Sequence, residues 1–125
     1  MILIVDSWAW LATGEEGRHA DESIELISNK KNEILTTMLN IYEVYYRVTQ
    51  AYGEEKARKF IESIKQRARI VEVDEELTFL AANLHLKEKL SVIDAFVYAT
   101  ALKENGQVLT GDPHFKGKEM VIFIE

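Results

Sequence analysis

Met1-Ile2-Leu3-Ile4-Val5-Asp6-Ser7 opens the chain with an unbroken apolar run that stops at an aspartate and a serine. Side chains along a strand point to opposite faces in turn, so a strand with one wet face alternates apolar and polar residues. A run with no polar member needs apolar surroundings on both faces. That is the situation of a central strand in a parallel sheet covered by helices on both sides. The run is far too short to cross a membrane, and too short for a secretory signal with Asp6 directly behind it.

Outward from this strand, helical and strand periodicities take turns. Ser7–Ala12 reads as a short helical turn and Thr13–Gly17 as a loop. Arg18–Ser28 is a helix with Ala20, Ile24 and Ile27 in step, ended by Asn29–Asn32. Glu33–Leu35 is a short strand. Thr37–Tyr52 is a long helix stopped by Gly53, where a left-handed residue is wanted. Glu54–Gln66 carries Ala57, Phe60, Ile61 and Ile64 on one face. Arg69–Val73 alternates as a strand, Glu75–Lys87 and Val92–Glu104 are helices, and Asn105-Gly106 closes the second. Gln107–Leu109 and Val121–Ile124 are strands. Strands separated by helices predict an α/β fold whose parallel sheet is flanked on both sides. Ligands in such folds sit beyond the carboxyl ends of the strands, where the strand order reverses.

Composition narrows the function. The 125 residues are 47% hydrophobic and 29% charged, with one proline and six glycines, which excludes a disordered chain. There is no repeat and no linker, so residues 1–125 are expected to form one domain. The absence of cysteine excludes disulfides, zinc-thiolate sites and thiol nucleophiles. Nothing directs the chain out of the cell, and a cytoplasmic protein is expected. Fifteen Lys and Arg against 21 Asp and Glu give a net charge of −6, unfavourable for nonspecific binding of a polyanion unless offset locally.

Four acids stand out by position. Asp6 ends the first strand, as a helix N-cap for Ser7–Ala12 or as a functional carboxylate at the sheet edge. Glu43 has Leu39, Tyr42, Val44 and Tyr46 as helical neighbours. That helix looks apolar nearly all round from Met38 to Val48, so Glu43 is expected to be buried, where an unpaired carboxylate is costly. The alternative is an ion pair with Arg47, one turn on. Asp94 begins the Val92–Glu104 helix, and Ser91-Val92-Ile93-Asp94 also fits a loose capping box. Asp112 follows Gln107–Leu109 in Thr110-Gly111-Asp112-Pro113-His114-Phe115, where Asp before Pro also suits an N-cap. Adjacent strands lie about 4.8 Å apart, so Asp6 and Asp112 meet if their strands are neighbours. Two unit charges 4 Å apart repel by about 4 kcal/mol at an effective dielectric near 20. Four acids therefore share one site only with a cation or with proton uptake. Oxygen ligands select hard ions, Mg²⁺ or Mn²⁺, which accept phosphate oxygens and activate water.

These segments, in this order, resemble the PIN-domain ribonucleases, and within them the VapC-type toxins of toxin–antitoxin pairs. Ile4-Val5-Asp6-Ser7 is similar to that family's first strand and first acid, and Thr37–Val48 to its second-acid helix. Leu90-Ser91-Val92-Ile93-Asp94-Ala95 with Ala99-Thr100-Ala101 is similar to the third-acid segment. Val108–Phe115 is similar to the closing T-x-D-x-x-F signature. The resemblance spans the whole chain. It implies a three-layer α/β/α sandwich with a parallel sheet of four or five strands. It also implies Mg²⁺- or Mn²⁺-dependent endonucleolytic cleavage of RNA, often tRNA or rRNA. Asp6, Glu43, Asp94 and Asp112 would be the metal-binding and catalytic acids. Thr110 would support them by hydrogen bonding, with Ser7 in a similar part. A homodimer and a small antitoxin partner are implied too. Asn40, one turn before Glu43, has no assigned role.

Other polar residues carry weaker signals. His19 and His85 read as surface residues, and His114 as a turn residue beside Asp112 or a substrate contact. Ser7 and Ser91 lack the pattern of a serine triad. Lys56, Arg58, Lys59, Lys65, Arg67 and Arg69 are a solvated helix face or a track for RNA phosphates. Arg47 and Lys103 are further candidates near the mouth. Trp10 or Leu11 is expected in the core, and an exposed Trp8 would stack a base or meet a partner. Competing readings are a non-toxin PIN nuclease in RNA processing, a non-catalytic module of this fold, and a phosphatase or phosphoacceptor. Trp8 stands where a dehalogenase-like phosphatase wants a second aspartate.

Overall fold

The computed structural model describes residues 1–125. The opening apolar run forms β1 (Ile2–Val5), followed by α1 (Ser7–Thr13), α2 (Arg18–Ser28), β2 (Glu33–Thr37) and α3 (Met38–Tyr52). Then come α4 (Glu54–Arg67), β3 (Arg69–Val71), α5 (Glu75–Glu88), α6 (Val92–Glu104), β4 (Gln107–Thr110), a single 3₁₀ turn (Pro113–Phe115) and β5 (Val121–Phe123). The five strands form one sheet in the order β3-β2-β1-β4-β5, and every neighbouring pair is parallel.

Alternation within the apolar strands divides them between two cores. Leu3 and Val5 of β1, Ile34 of β2 and Leu109 of β4 face α1 to α4, against Trp10, Ile27, Ile41, Val44, Val48, Ile61 and Ile64. Ile4, Leu35 and Val108 face the other way, onto Leu77 and Leu84 of α5 and Ala95 and Val97 of α6. The result is the three-layer α/β/α sandwich with a five-stranded sheet. Leu3, Ile4 and Val5 are all fully buried, which explains why β1 tolerates no polar residue. No helix is long and apolar enough to cross a membrane.

The chain steps from β1 to β2 to β3 on one side and returns to β4 on the other side of β1. The strand order therefore reverses between β1 and β4, and the crevice beyond their carboxyl ends is the expected ligand site. Asp6 N donates to Leu109 O at 3.1 Å and locks these two ends together.

Several boundaries differ from the periodicity reading, some of them for a polar reason. β2 runs on through Thr36 and Thr37, because Thr37 stays extended to cap α3. Its side chain accepts from Asn40 N while the Asn40 side chain accepts from Thr37 N, a reciprocal capping box. β3 stops at Val71, and Asp74 caps α5 by accepting from Leu77 N at 2.8 Å. β4 extends to Thr110, and β5 ends at Phe123. The expectation that α3 is apolar all round is corrected. Only Asn40, Ile41, Val44 and Val48 are buried, while Met38, Tyr42 and Tyr46 are exposed. Tyrosine counts as apolar in a periodicity but keeps its hydroxyl in water at little cost.

Close packing reaches the edge of the crevice. A Cβ added at Gly111 would overlap the Trp8 indole and sit 2.7 Å from Ile124 O, whereas one at Gly14 would make ordinary contacts, the nearest at 3.5 Å. Gly111→Ala is expected to cost about 1–3 kcal/mol, lowering the thermal midpoint by roughly 4–12 °C. Gly14→Ala is expected to shift it much less. Thermal unfolding followed by circular dichroism checks both.

Candidate functional site

The crevice holds a cavity of about 490 Å³. Asp6, Glu43, Asp94 and Asp112 all line it, together with Ser7, Trp8, Leu11, Arg47, Ser91, Val92, Ile93 and His114. The four candidate acids thus come together from four separate segments: the end of β1, α3, the first turn of α6, and the turn after β4.

Asp6 stands at the N-cap position of α1 but makes no cap hydrogen bond with its side chain. Its carboxylate turns into the sheet edge instead. Thr110 Oγ1 donates to Asp6 Oδ2 at 2.8 Å, and Asn40 Nδ2 lies 3.4 Å from Asp6 Oδ1. Asn40 Nδ2 also donates to Ser7 Oγ at 2.9 Å. The candidate support residues Thr110 and Ser7 are therefore buried against Asp6 and its partner. Asn40, unassigned from sequence, links the start of α3 to the end of β1. Only its position after Thr37 hinted at this, since an N3 residue of a capping box has its orientation fixed by the helix start.

Asp94 follows the capping pattern halfway. Ser91 Oγ accepts from Asp94 N at 3.3 Å, without the reciprocal bond from the Asp94 side chain. Asp112 caps the 3₁₀ turn: its Oδ1 accepts from His114 N and lies 2.9 Å from His114 Nδ1. Asp112 N in turn donates to Thr110 Oγ1 at 3.0 Å, so one hydroxyl ties Asp112 to Asp6. Phe115, with no exposed surface, pins the turn into the core against Tyr98.

The four acids do not form one equally tight set. Asp94, Asp112 and His114 each offer a ligand atom within 4.8 Å of the others. Asp6 and Glu43 line the cavity outside that group. Glu43 is half-buried rather than buried, because α3 turns it to the rim, and Arg47 Nε donates to its Oε2 at 3.2 Å. The ion pair weighed from sequence is thus present, inside the cavity. A half-exposed pair at this spacing contributes a few tenths of a kcal/mol.

Electrostatics set Asp6 and Asp94 apart from ordinary surface carboxylates. Burial raises the Asp6 pKa from 3.8 to about 7, against the Thr110 hydrogen bond, with the charges of Asp94 and Asp112 adding to the rise. Burial also raises Asp94, helped by Asp112 and Glu43. Two buried acids held above their usual range beside further acids make a site that favours a cation or a proton. Carboxylate oxygens suit a hard divalent ion of the Mg²⁺ or Mn²⁺ type. The residues present fit such an ion.

The basic candidates divide. Arg47 lines the cavity, whereas Lys103 pairs with Asp74 at 3.3 Å and is not part of it. Arg58, Lys59 and Lys65 pair with Glu54, Glu55 and Glu62 on α4 itself, which makes that stretch a solvated helix face. Arg67 donates to the carbonyls of Ile27, Asn29 and Asn32, clamping α4 to the end of α2. Arg69 faces Glu33 and Glu104. Trp10 is buried as expected. Trp8 is half-buried rather than free, edge-on to His19 at 5.1 Å between ring centres.

Comparison with known proteins agrees with this architecture. Residues 3–119 match a family model described as PIN domain. The fold is shared with VapC20 of Mycobacterium tuberculosis, a toxin that cleaves the sarcin-ricin loop, at 20% identity over 97% of each chain and a TM-score of 0.79. It is shared with VapBC2 from Rickettsia felis bound to a promoter DNA fragment, at 18% identity over 99% of this chain and 98% of that one, TM-score 0.75. The DNA-bound VapBC of Salmonella typhimurium is similar over 99% of this chain and 97% of that one, at 13% identity and a TM-score of 0.76. At these identities the likeness is one of fold. A comparison with curated protein sequences finds no match.

The raised acids have a measurable consequence. With Asp6 near 7 in the native state and 3.8 when unfolded, the native protein holds the extra proton between these values. The stability it brings is full below pH 4 and lost as pH rises through 7. In metal-free buffer the thermal midpoint is therefore expected to fall between pH 5 and 8, relative to Asp6→Asn, in which that position stays neutral. Melts of the two proteins across this range check the sign; a steeper fall in the variant would contradict it.

Proposed function

The chain belongs to the PIN domain family, and on that premise we propose that it is an endoribonuclease dependent on Mg²⁺ or Mn²⁺, serving as the toxin of a VapBC-type toxin–antitoxin pair. The observation that carries this reading is the convergence of Asp6, Glu43, Asp94 and Asp112 on one cavity at the strand-order reversal.

Each residue has work suited to its place. Asp94 and Asp112, close together and only partly engaged, would hold the ion, with Asp6 behind them. A bound divalent ion would neutralise these carboxylates, polarise a phosphate oxygen and ease deprotonation of water. Thr110 and Asn40 fix Asp6, and Ser7 fixes Asn40. Glu43, on the solvent-reachable rim, is placed to take a proton from an attacking water. Arg47 beside it is placed to meet a phosphate of the RNA. Trp8 offers an apolar wall for a base. With Asp6, Glu43, Asp94 and Asp112 set aside, the formal net charge of −6 falls to −2, so occupation by a cation softens the electrostatic obstacle to binding RNA without removing it.

The toxin reading rests on fold likeness to VapC20 and to VapBC complexes, and with it go a small antitoxin partner and a homodimer in the cytoplasm. VapC20 makes ribosomal RNA the first substrate to try. Wild-type protein with Mn²⁺ or Mg²⁺ is expected to cut labelled ribosomal or transfer RNA at discrete sites, and EDTA to stop it. Asp6→Asn and Asp94→Asn are expected to lower the rate about 100-fold or more while retaining the far-UV spectrum. No cleavage by wild type with either ion would favour the non-catalytic module. Cleavage without growth arrest on expression would favour a PIN nuclease of RNA processing.

A further inference from the structure

His114 lies outside the acid set, yet the fold holds it in the cavity. It sits in the 3₁₀ turn between Pro113, at the turn's first position, and the buried Phe115. Its backbone is tied to Asp112 Oδ1, and its Nδ1 lies 2.9 Å from the same oxygen. That leaves Asp112 Oδ2 for another partner. A ring nitrogen of His114, an oxygen of Asp94 and an oxygen of Asp112 lie within 4.8 Å of one another. Ligand atoms on opposite sides of an octahedral ion are about 4.3 Å apart when each bond is 2.0–2.2 Å. Three atoms within 4.8 Å are near that limit, and the side chains must draw together to share one ion.

We propose that His114 is a ligand of the divalent ion beside Asp94 and Asp112, and that it biases the site toward Mn²⁺ over Mg²⁺. Mg²⁺ prefers oxygen donors and gives up its waters reluctantly, whereas imidazole binds later first-row ions more readily. The other two histidines do not share this place: His19 packs on Trp8, and His85 lines a separate hollow with Ala82 and Phe96. The inference rests on the metal-dependent reading for the presence of an ion. It adds that one donor is nitrogen.

The test uses the full chain stripped of metal and titrated with Mn²⁺. Electron paramagnetic resonance counts bound ion, and electron spin echo modulation detects a directly bound ¹⁴N. Wild type is expected to show histidine ¹⁴N modulation, and His114→Ala to lose it. The ratio of Mn²⁺ to Mg²⁺ affinity, from Mg²⁺ competition, is expected to fall about tenfold in His114→Ala. The side chain of His114 is 76% exposed, and wild type alone reports the nitrogen should the variant prove unstable. Bound Mn²⁺ without ¹⁴N modulation, or an unchanged ratio in the variant, would overturn the assignment of His114. Failure of both ions to bind would overturn it together with the metal-dependent reading. Nitrogen-ligated Mn²⁺ in a protein that cuts no RNA would sink the nuclease reading alone.

Discussion

One hydrogen bond, from Thr110 Oγ1 to Asp6 Oδ2, spans the ends of the two strands at which the sheet reverses its order. Asp6 is 2% exposed. A carboxylate that buried is costly unless donors face it, and an unsatisfied one costs several kcal/mol. The donors come from secondary-structure ends and not from mobile loops. Thr110 is the last residue of β4, and Asn40 is locked by the capping box that starts α3. Burial costs the charged form of Asp6 more than these donors return, so its pKa stays high. An acid in that state favours a proton or a nearby cation over standing alone as a charge.

The same economy of hydroxyls runs along the carboxyl edge. Thr36 donates to Val5 O and accepts from Trp10 Nε1, while Thr37 caps α3. Thr36, Thr37, Asn40 and Thr110 have no exposed surface. Where strands end and helices begin, backbone groups run out of ladder partners, and short side chains on rigid elements take their place. Such a seam holds the carboxylates of the cavity at fixed positions. The half-buried Glu43 and the exposed Arg47 and His114 stand on the rim of this rigid floor.

Much of the fold was legible in the order of apolar runs and helical stripes. β1 reads as a central strand because the run Met1–Val5 holds no polar residue, and the two-sided core bears that out. The boundaries that slipped involve Thr36, Thr37, Val73 and Thr110, where capping and ladder hydrogen bonds, invisible to hydrophobic periodicity, decide the end. α3 was misjudged because Tyr42 and Tyr46 scored as apolar while their rings face solvent. The acids drew notice by position, and all four line the cavity. Their unequal spacing was hidden, because it depends on how far α3 rotates Glu43 to the rim. The part of Asn40 was hidden for a related reason, since it gains meaning only from the cap that aims it across the chain. His114 reads from sequence as a turn residue beside Asp112 or a substrate contact, and it is both in the turn and in the cavity.

The most direct test is the titration of the Asp6 carboxyl carbon by ¹³C nuclear magnetic resonance, with and without saturating Mg²⁺. A midpoint near 7 in metal-free protein that drops below the observable range on adding Mg²⁺ is the expected result. An Asp6 already ionised at pH 5 without metal, and indifferent to it, would contradict the account.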